Sequence, residues 1–208
     1  GKIHEGRRRG TQGVGNMMSK QKNSINAPVY RNRGKATPAN QNAFGGATQN
    51  NKGSKLKILA ISFILVALAA FIGSLFTTPS ISSGWYDQIK PAISPPNFVF
   101  PIAWGILYLL LAVSLYFAYV GAKENEKRNI FIAYGANLIL NALWSFAFFG
   151  LQNPLLGMIV LVLLWISILG AMFVALKIDQ KAGLMLIPYL AWVSFAGLLN
   201  YLAFSTAG

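Results

Sequence analysis

Trp85-Tyr86-Asp87-Gln88-Ile89-Lys90-Pro91-Ala92-Ile93-Ser94-Pro95-Pro96-Asn97-Phe98-Val99-Phe100-Pro101 runs directly into Ile102-Ala103-Trp104-Gly105-Ile106-Leu107-Tyr108. Four prolines in the eleven residues 91–101 rule out a regular helix through that interval. Each ring removes an amide hydrogen and restricts the residue before it. Yet the stretch is aromatic, and Asp87 and Lys90 are its only charges. It joins two long apolar runs. A stiff apolar loop in that place reads either as a lid packed on something or as an extracellular connector whose prolines set its turns. Composition does not separate the two.

Outward from the loop lie five apolar runs: Leu56–Thr78, Phe98–Val120, Asn129–Gly150, Leu155–Leu176 and Ala182–Ser205. Beyond Lys57 none has a Lys, Arg, Asp or Glu in its apolar core, and each is long enough to cross a hydrocarbon layer as a helix. The fold class expected is an all-α membrane protein, a five-transmembrane-helix bundle over 56–208. The first run is too long for a cleavable signal core, so it reads as an uncleaved span. The tight turn Leu151-Gln152-Asn153-Pro154 makes the third and fourth spans antiparallel neighbours.

Charge divides the chain differently. The net charge is +13, but residues 1–57 hold twelve Lys/Arg against Glu5, which is +11, and the remaining 151 residues hold only +2. Residues 1–55 show no sustained apolar period and read as a disordered basic tail. Met17-Met18 marks a candidate authentic start, which would leave the residues before it as additions. The tail's expected partner is anionic lipid; without interleaved aromatics it does not read as a nucleic-acid binder. There is no cysteine, hence no disulfide or thiolate metal site, and His4 is the only histidine. The loop cations Lys123, Lys127, Arg128, Lys177 and Lys181 fall on the tail's side of the membrane, with Lys90 alone opposite. The positive-inside rule then puts the N-terminus on the cytoplasmic side and the C-terminus and proline loop outside. The host would be a prokaryotic cell membrane or an organellar one.

No span carries an ionisable group at mid-depth, which disfavours proton pumps, cation channels and voltage sensors. The spans carry aromatics and amides instead. Tyr134, Asn137, Asn141, Trp144, Ser145 and Phe148 recur at three- and four-residue spacing, so they share one helical face. Amides in lipid need partners, so this face points inward, as helix–helix glue or as a pocket wall. Trp104 and Tyr108 lie one turn apart on the second span, and Trp192 and Ala196 share a face of the fifth. Pro188 should kink that fifth span or free a carbonyl in it. Together these residues suggest an intramembrane pocket lined by Trp104, Tyr108, Asn137, Asn141, Trp144, Phe148, Trp192 and Ala196 and covered by the proline loop. Such a site suits a flat hydrophobic ligand. Lacking a nucleophile–base pair, it does not read as an enzyme site, and no cofactor is required.

Trp85-Tyr86, Lys90-Pro91, Pro95-Pro96, Trp104 with Leu107-Tyr108, Asn141-Ala142-Leu143-Trp144 with Phe148-Phe149-Gly150, and Pro188-Tyr189-Leu190-Ala191-Trp192-Val193 with Leu199-Asn200-Tyr201 resemble the translocator protein family. Its bacterial members are called tryptophan-rich sensory proteins, and its animal members the peripheral benzodiazepine receptor. The resemblance covers residues 58–205. It implies a five-helix bundle, often a homodimer, that binds porphyrins, haem-like tetrapyrroles, sterols and isoquinoline or benzodiazepine drugs beneath the loop of residues 79–97. It adds Tyr86 and Pro96 to the ligand-binding residues already named. Two departures stand out. Many relatives have a tryptophan two residues before the paired prolines, where this chain has Ile93, and light-dependent porphyrin degradation is attributed to such a loop. No basic residue follows Tyr201, so the sterol motif of animal members is incomplete. The expectation is a non-catalytic receptor or carrier for porphyrin, haem or another flat ligand; a porphyrin-degrading enzyme, a passive sterol or lipid transporter and a packing scaffold are the alternatives.

Overall fold

The computed structural model describes residues 38–207, with side chains from 52 to 206. The tail expected over 1–55 lies outside the described residues as far as residue 37. The chain divides into two units, Gly1–Gly45 and Gly46–Gly208, and the membrane-spanning helices belong to the second. The helices are α1 (Pro38–Ser82), α2 (Trp85–Ile89), α3 (Val99–Gly121), α4 (Glu124–Ser145), α5 (Pro154–Ile178), α6 (Gln180–Leu184) and α7 (Ile187–Ala207). A π-helical segment, Phe146–Gly150, continues α4.

Among the described residues, five helices are long and apolar enough to cross a membrane: Lys52–Ser82, Val99–Gly121, Glu124–Gly150, Pro154–Ile178 and Gln180–Thr206. These are the five spans read from the sequence, and the chain is an integral membrane protein. Their outer faces keep Ile102, Ile106, Leu109, Ile159, Val162 and Ile166 exposed, as helices facing acyl chains do. Inward, α4 buries Ile130, Tyr134, Asn137, Asn141 and Ser145, and α5 buries Val160, Leu161, Leu164, Ile168, Ala171 and Ala175. These three- and four-residue steps keep one stripe of each helix turned to its neighbours. Helix α5 packs against α4, α6 and α7.

The turns are set by their residues. Gln152 takes a left-handed φ of 50°. Asn153 then caps α5, its Oδ1 accepting from Leu156 N at 2.9 Å, and Pro154 stands at N1, where no amide hydrogen is needed. Pro101 lies in the first turn of α3, so the second span starts before the last of the four prolines. Pro188 is likewise in the first turn of α7 rather than inside a continuous helix. The chain breaks at Met185-Leu186, between α6 and α7.

Close approach of α4, α5 and α7 depends on Gly157. A Cβ there would stand 2.8 Å from Phe148 Cδ2, 2.9 Å from Phe148 Cβ and 3.1 Å from Asn200 Oδ1, whereas one on Gly170 would meet nothing within 4 Å. Gly157→Ala is expected to destabilise the bundle by about 1–3 kcal/mol through overpacking. Gly170→Ala should be neutral or stabilising by up to about 1 kcal/mol, since alanine orders a helix at less entropic cost. Thermal unfolding in detergent separates the two; equal melting temperatures would contradict this packing.

Candidate functional site

Between the loop-side halves of the helices lies a cavity of about 480 Å³. Helix α1 supplies Ala70, Gly73, Ser74 and Thr77, and α3 supplies Phe100, Trp104, Gly105 and Tyr108. The end of α4 and its π-helical extension supply Trp144, Ser145, Phe148 and Phe149, and α7 supplies Ala196, Leu199 and Asn200. Tyr86 and Asn97 of the connection between α1 and α3 complete it.

Its aromatic wall is ordered. The rings of Trp104 and Trp144 stack with centroids 5.9 Å apart at 28°, and those of Trp144 and Phe148 at 5.9 Å and 21°. Three near-parallel planes therefore succeed one another along the cavity. The π-helical segment helps to build this wall. A wider turn lets three consecutive residues, Ala147, Phe148 and Phe149, all turn inward.

The start of the proline loop, α2, packs onto this wall, while residues 92–98 stay largely exposed. Tyr86 and Ile89 are buried in one apolar cluster with Phe148, Phe149 and Ala203. Tyr86 meets Phe149 edge-on at 5.8 Å and Phe148 at 6.3 Å, and Trp85 meets Phe148 at 5.6 Å. Burial raises the pKa of the Tyr86 phenol above its ordinary value, with the nearby Asp87 charge acting in the same direction. Its hydroxyl therefore stays protonated, and able to donate, throughout the physiological range.

Polar groups tie the helices beneath this surface. Tyr108 Oη donates to Asn141 Oδ1 at 2.7 Å, and Asn141 Nδ2 donates to Tyr189 Oη at 2.8 Å, joining α3, α4 and α7. Asn137 Nδ2 donates to Ser167 Oγ at 3.0 Å, joining α4 to α5. Trp144 Nε1 donates to Asn200 Oδ1 at 3.3 Å, and Asn200 Nδ2 to Pro154 O at 2.7 Å.

Of the ten residues singled out in the sequence, Tyr86, Trp104, Tyr108, Trp144, Phe148 and Ala196 line the cavity. Asn141 stands one layer behind Tyr108, and Asn137 is fully buried among helices, so both amides act as ties between spans. Trp192 lies edge-on against Phe100 at 6.0 Å rather than on the wall. Pro96 gives way to its neighbour Asn97; its carbonyl accepts from Val99 N at 2.9 Å as α3 opens. The contribution of α1 did not emerge from the sequence, although Ala70, Gly73, Thr77 and Ile81 carry the helical spacing that marks an inward face.

Five membrane-spanning helices around an aromatic cavity define a class: a helical membrane bundle with a pocket between its spans. The chain belongs to the TspO/MBR family, whose family model matches residues 61–204. It is 38% identical to Protein CrtK of Rhodobacter capsulatus over 148 residues, 70% of this chain and 90% of that one. To the Tryptophan-rich protein TspO of Archaeoglobus fulgidus it is 40% identical over 147 residues, 70% of this chain and 94% of that one. The protein of the same name from Chlorobaculum tepidum is 38% identical over 144 residues, 69% of this chain and 91% of that one.

Asn141→Leu removes the partner of the buried Tyr189 and the half-buried Tyr108 phenols, and is expected to destabilise the bundle by about 1–3 kcal/mol for the unpaired groups. A melt in detergent without ligand reads this directly. An unchanged melting temperature would show that the Tyr108–Asn141–Tyr189 chain contributes nothing.

Proposed function

We propose that this chain is a membrane receptor or carrier for a flat, apolar ligand of the tetrapyrrole kind, porphyrin or haem, held in the cavity without chemical conversion. The observation that carries the reading is the run of near-parallel rings, Trp104, Trp144 and Phe148, along one wall of a cavity of about 480 Å³. That volume falls within the range of roughly 300–1,000 Å³ common for small-molecule sites. A planar macrocycle would stack against these rings, and Tyr86 Oη would donate to its polar edge. The Tyr108 hydrogen is already committed to Asn141, so Tyr108 offers lone pairs instead.

Binding is favoured over degradation because the position after Ala92 is Ile93, exposed and absent from the cavity lining, where many relatives have tryptophan. The distribution of Lys123, Lys127, Arg128, Lys177 and Lys181 supports an N-terminus on the cytoplasmic side, with the cavity opening toward the opposite face. The basic tail would then meet anionic lipid. The apolar outer faces would accommodate lipid or a second copy in a homodimer.

Protoporphyrin IX should quench tryptophan fluorescence saturably. Trp144→Ala is expected to weaken that binding about tenfold, the order of one aromatic contact, while Trp144→Phe keeps most of it. Unchanged titration curves for a folded Trp144→Ala protein, or no saturable quenching in the parent, would refute the proposal.

A further inference from the structure

Lys90 is the only Lys or Arg between Lys57 and Lys123, and it touches two residues of the cavity wall. Its ammonium donates to Asn97 Oδ1 and lies 6.0 Å from the centroid of the Tyr86 ring. Asn97 and Tyr86 both line the cavity, so two wall residues from different parts of the loop place this charge at its mouth. The ion pair formed among the described residues joins Lys127 to Glu124; Lys90 has an amide for a partner and no carboxylate. An amide oxygen satisfies one of three ammonium hydrogens and leaves the charge uncompensated.

Resting on the function proposed above, we infer that the ligand carries a carboxylate on one edge, and that Lys90 with Asn97 holds it at the loop end of the cavity. The carboxylate takes one charge-assisted hydrogen bond from Lys90 Nζ and another from Asn97 Nδ2, while the flat body lies among the rings below. A carboxylate matches the single positive charge, whereas a phosphate dianion would enter an apolar enclosure half neutralised. The same pair fixes which way the ligand points, since the cavity lining itself holds no cation and Lys90 stands just behind Asn97 and Tyr86.

The test compares protoporphyrin IX with its dimethyl ester on the full chain in neutral detergent, by fluorescence quenching. The parent protein should bind the diacid about tenfold more tightly than the diester, the order of one charge-assisted bond. Lys90→Met should abolish that preference by weakening the diacid alone, and Lys90→Arg should keep it. Added salt should weaken the diacid and spare the diester, because a rim charge is screened. Equal affinity of the parent for acid and ester would overturn the inference and leave the cavity reading intact. So would equal weakening of both by Lys90→Met, which would make Lys90 a loop-packing residue only. Failure of both porphyrins to bind the parent would overturn the cavity reading itself.

Discussion

A carboxamide inside an apolar membrane bundle must find partners within the bundle, and that constraint organises this protein. Asn141 meets it by accepting from Tyr108 and donating to Tyr189, so one side chain of α4 fixes α3 and α7 around it. Asn137 meets it on one side only, its Nδ2 tying α4 to α5 through Ser167 while its Oδ1 has no partner among the described residues. With lipid outside as apolar as the helices themselves, burial of apolar surface does little to choose one helix arrangement over another. The directional bonds of the amides, and the close approach allowed at Gly157, supply the choice.

Once α3, α4 and α7 are fixed on one side, the cavity arises where side chains leave space unfilled. Helix α1 approaches through Ser62, Val66, Ala69 and Gly73, a stripe of mostly small side chains that includes Gly73 opposite Ser145. Higher up, Phe76 packs edge-on against Phe146 at 5.0 Å. Small residues on this helix and Gly105 on α3, which has nothing within 4 Å of a would-be Cβ, leave the space open beside the indoles. The prolines then stiffen the connection, so that Trp85, Tyr86 and Ile89 rest on Phe148 and Phe149 rather than in water. A lid of this kind loses less conformational entropy on settling than a flexible loop would.

The spans were legible because hydropathy and length speak directly to bilayer thickness, and the inward face of α4 because Asn137, Asn141 and Trp144 repeat with the helical period. Periodicity reports which face turns inward but not how deep each side chain ends. That is why Asn137 and Asn141 share a stripe with Trp144 yet hold the bundle together instead of lining the cavity. Trp192 is the same case: it shares a face with Ala196, but it packs edge-on against Phe100, which lines the cavity, and is not itself in the lining. The π-helical turn at Phe146–Gly150 was invisible to a 3.6-residue pattern, and it is what brings Phe148 and Phe149 inward together. The break before Pro188 was anticipated as a kink, because sequence gives the missing amide hydrogen but not whether the chain bends or restarts.

Indole and phenyl planes from α3, α4 and the π-helical turn would hold a guest beneath the loop, and locating that guest tests them. Anomalous diffraction from crystals grown with a zinc porphyrin would place the metal in a single peak. That peak is expected inside the cavity, between Gly73 of α1 and the Trp104–Trp144 pair. A peak on the outer face of the helices, among Ile102, Ile106 and Leu109, would contradict an enclosed site.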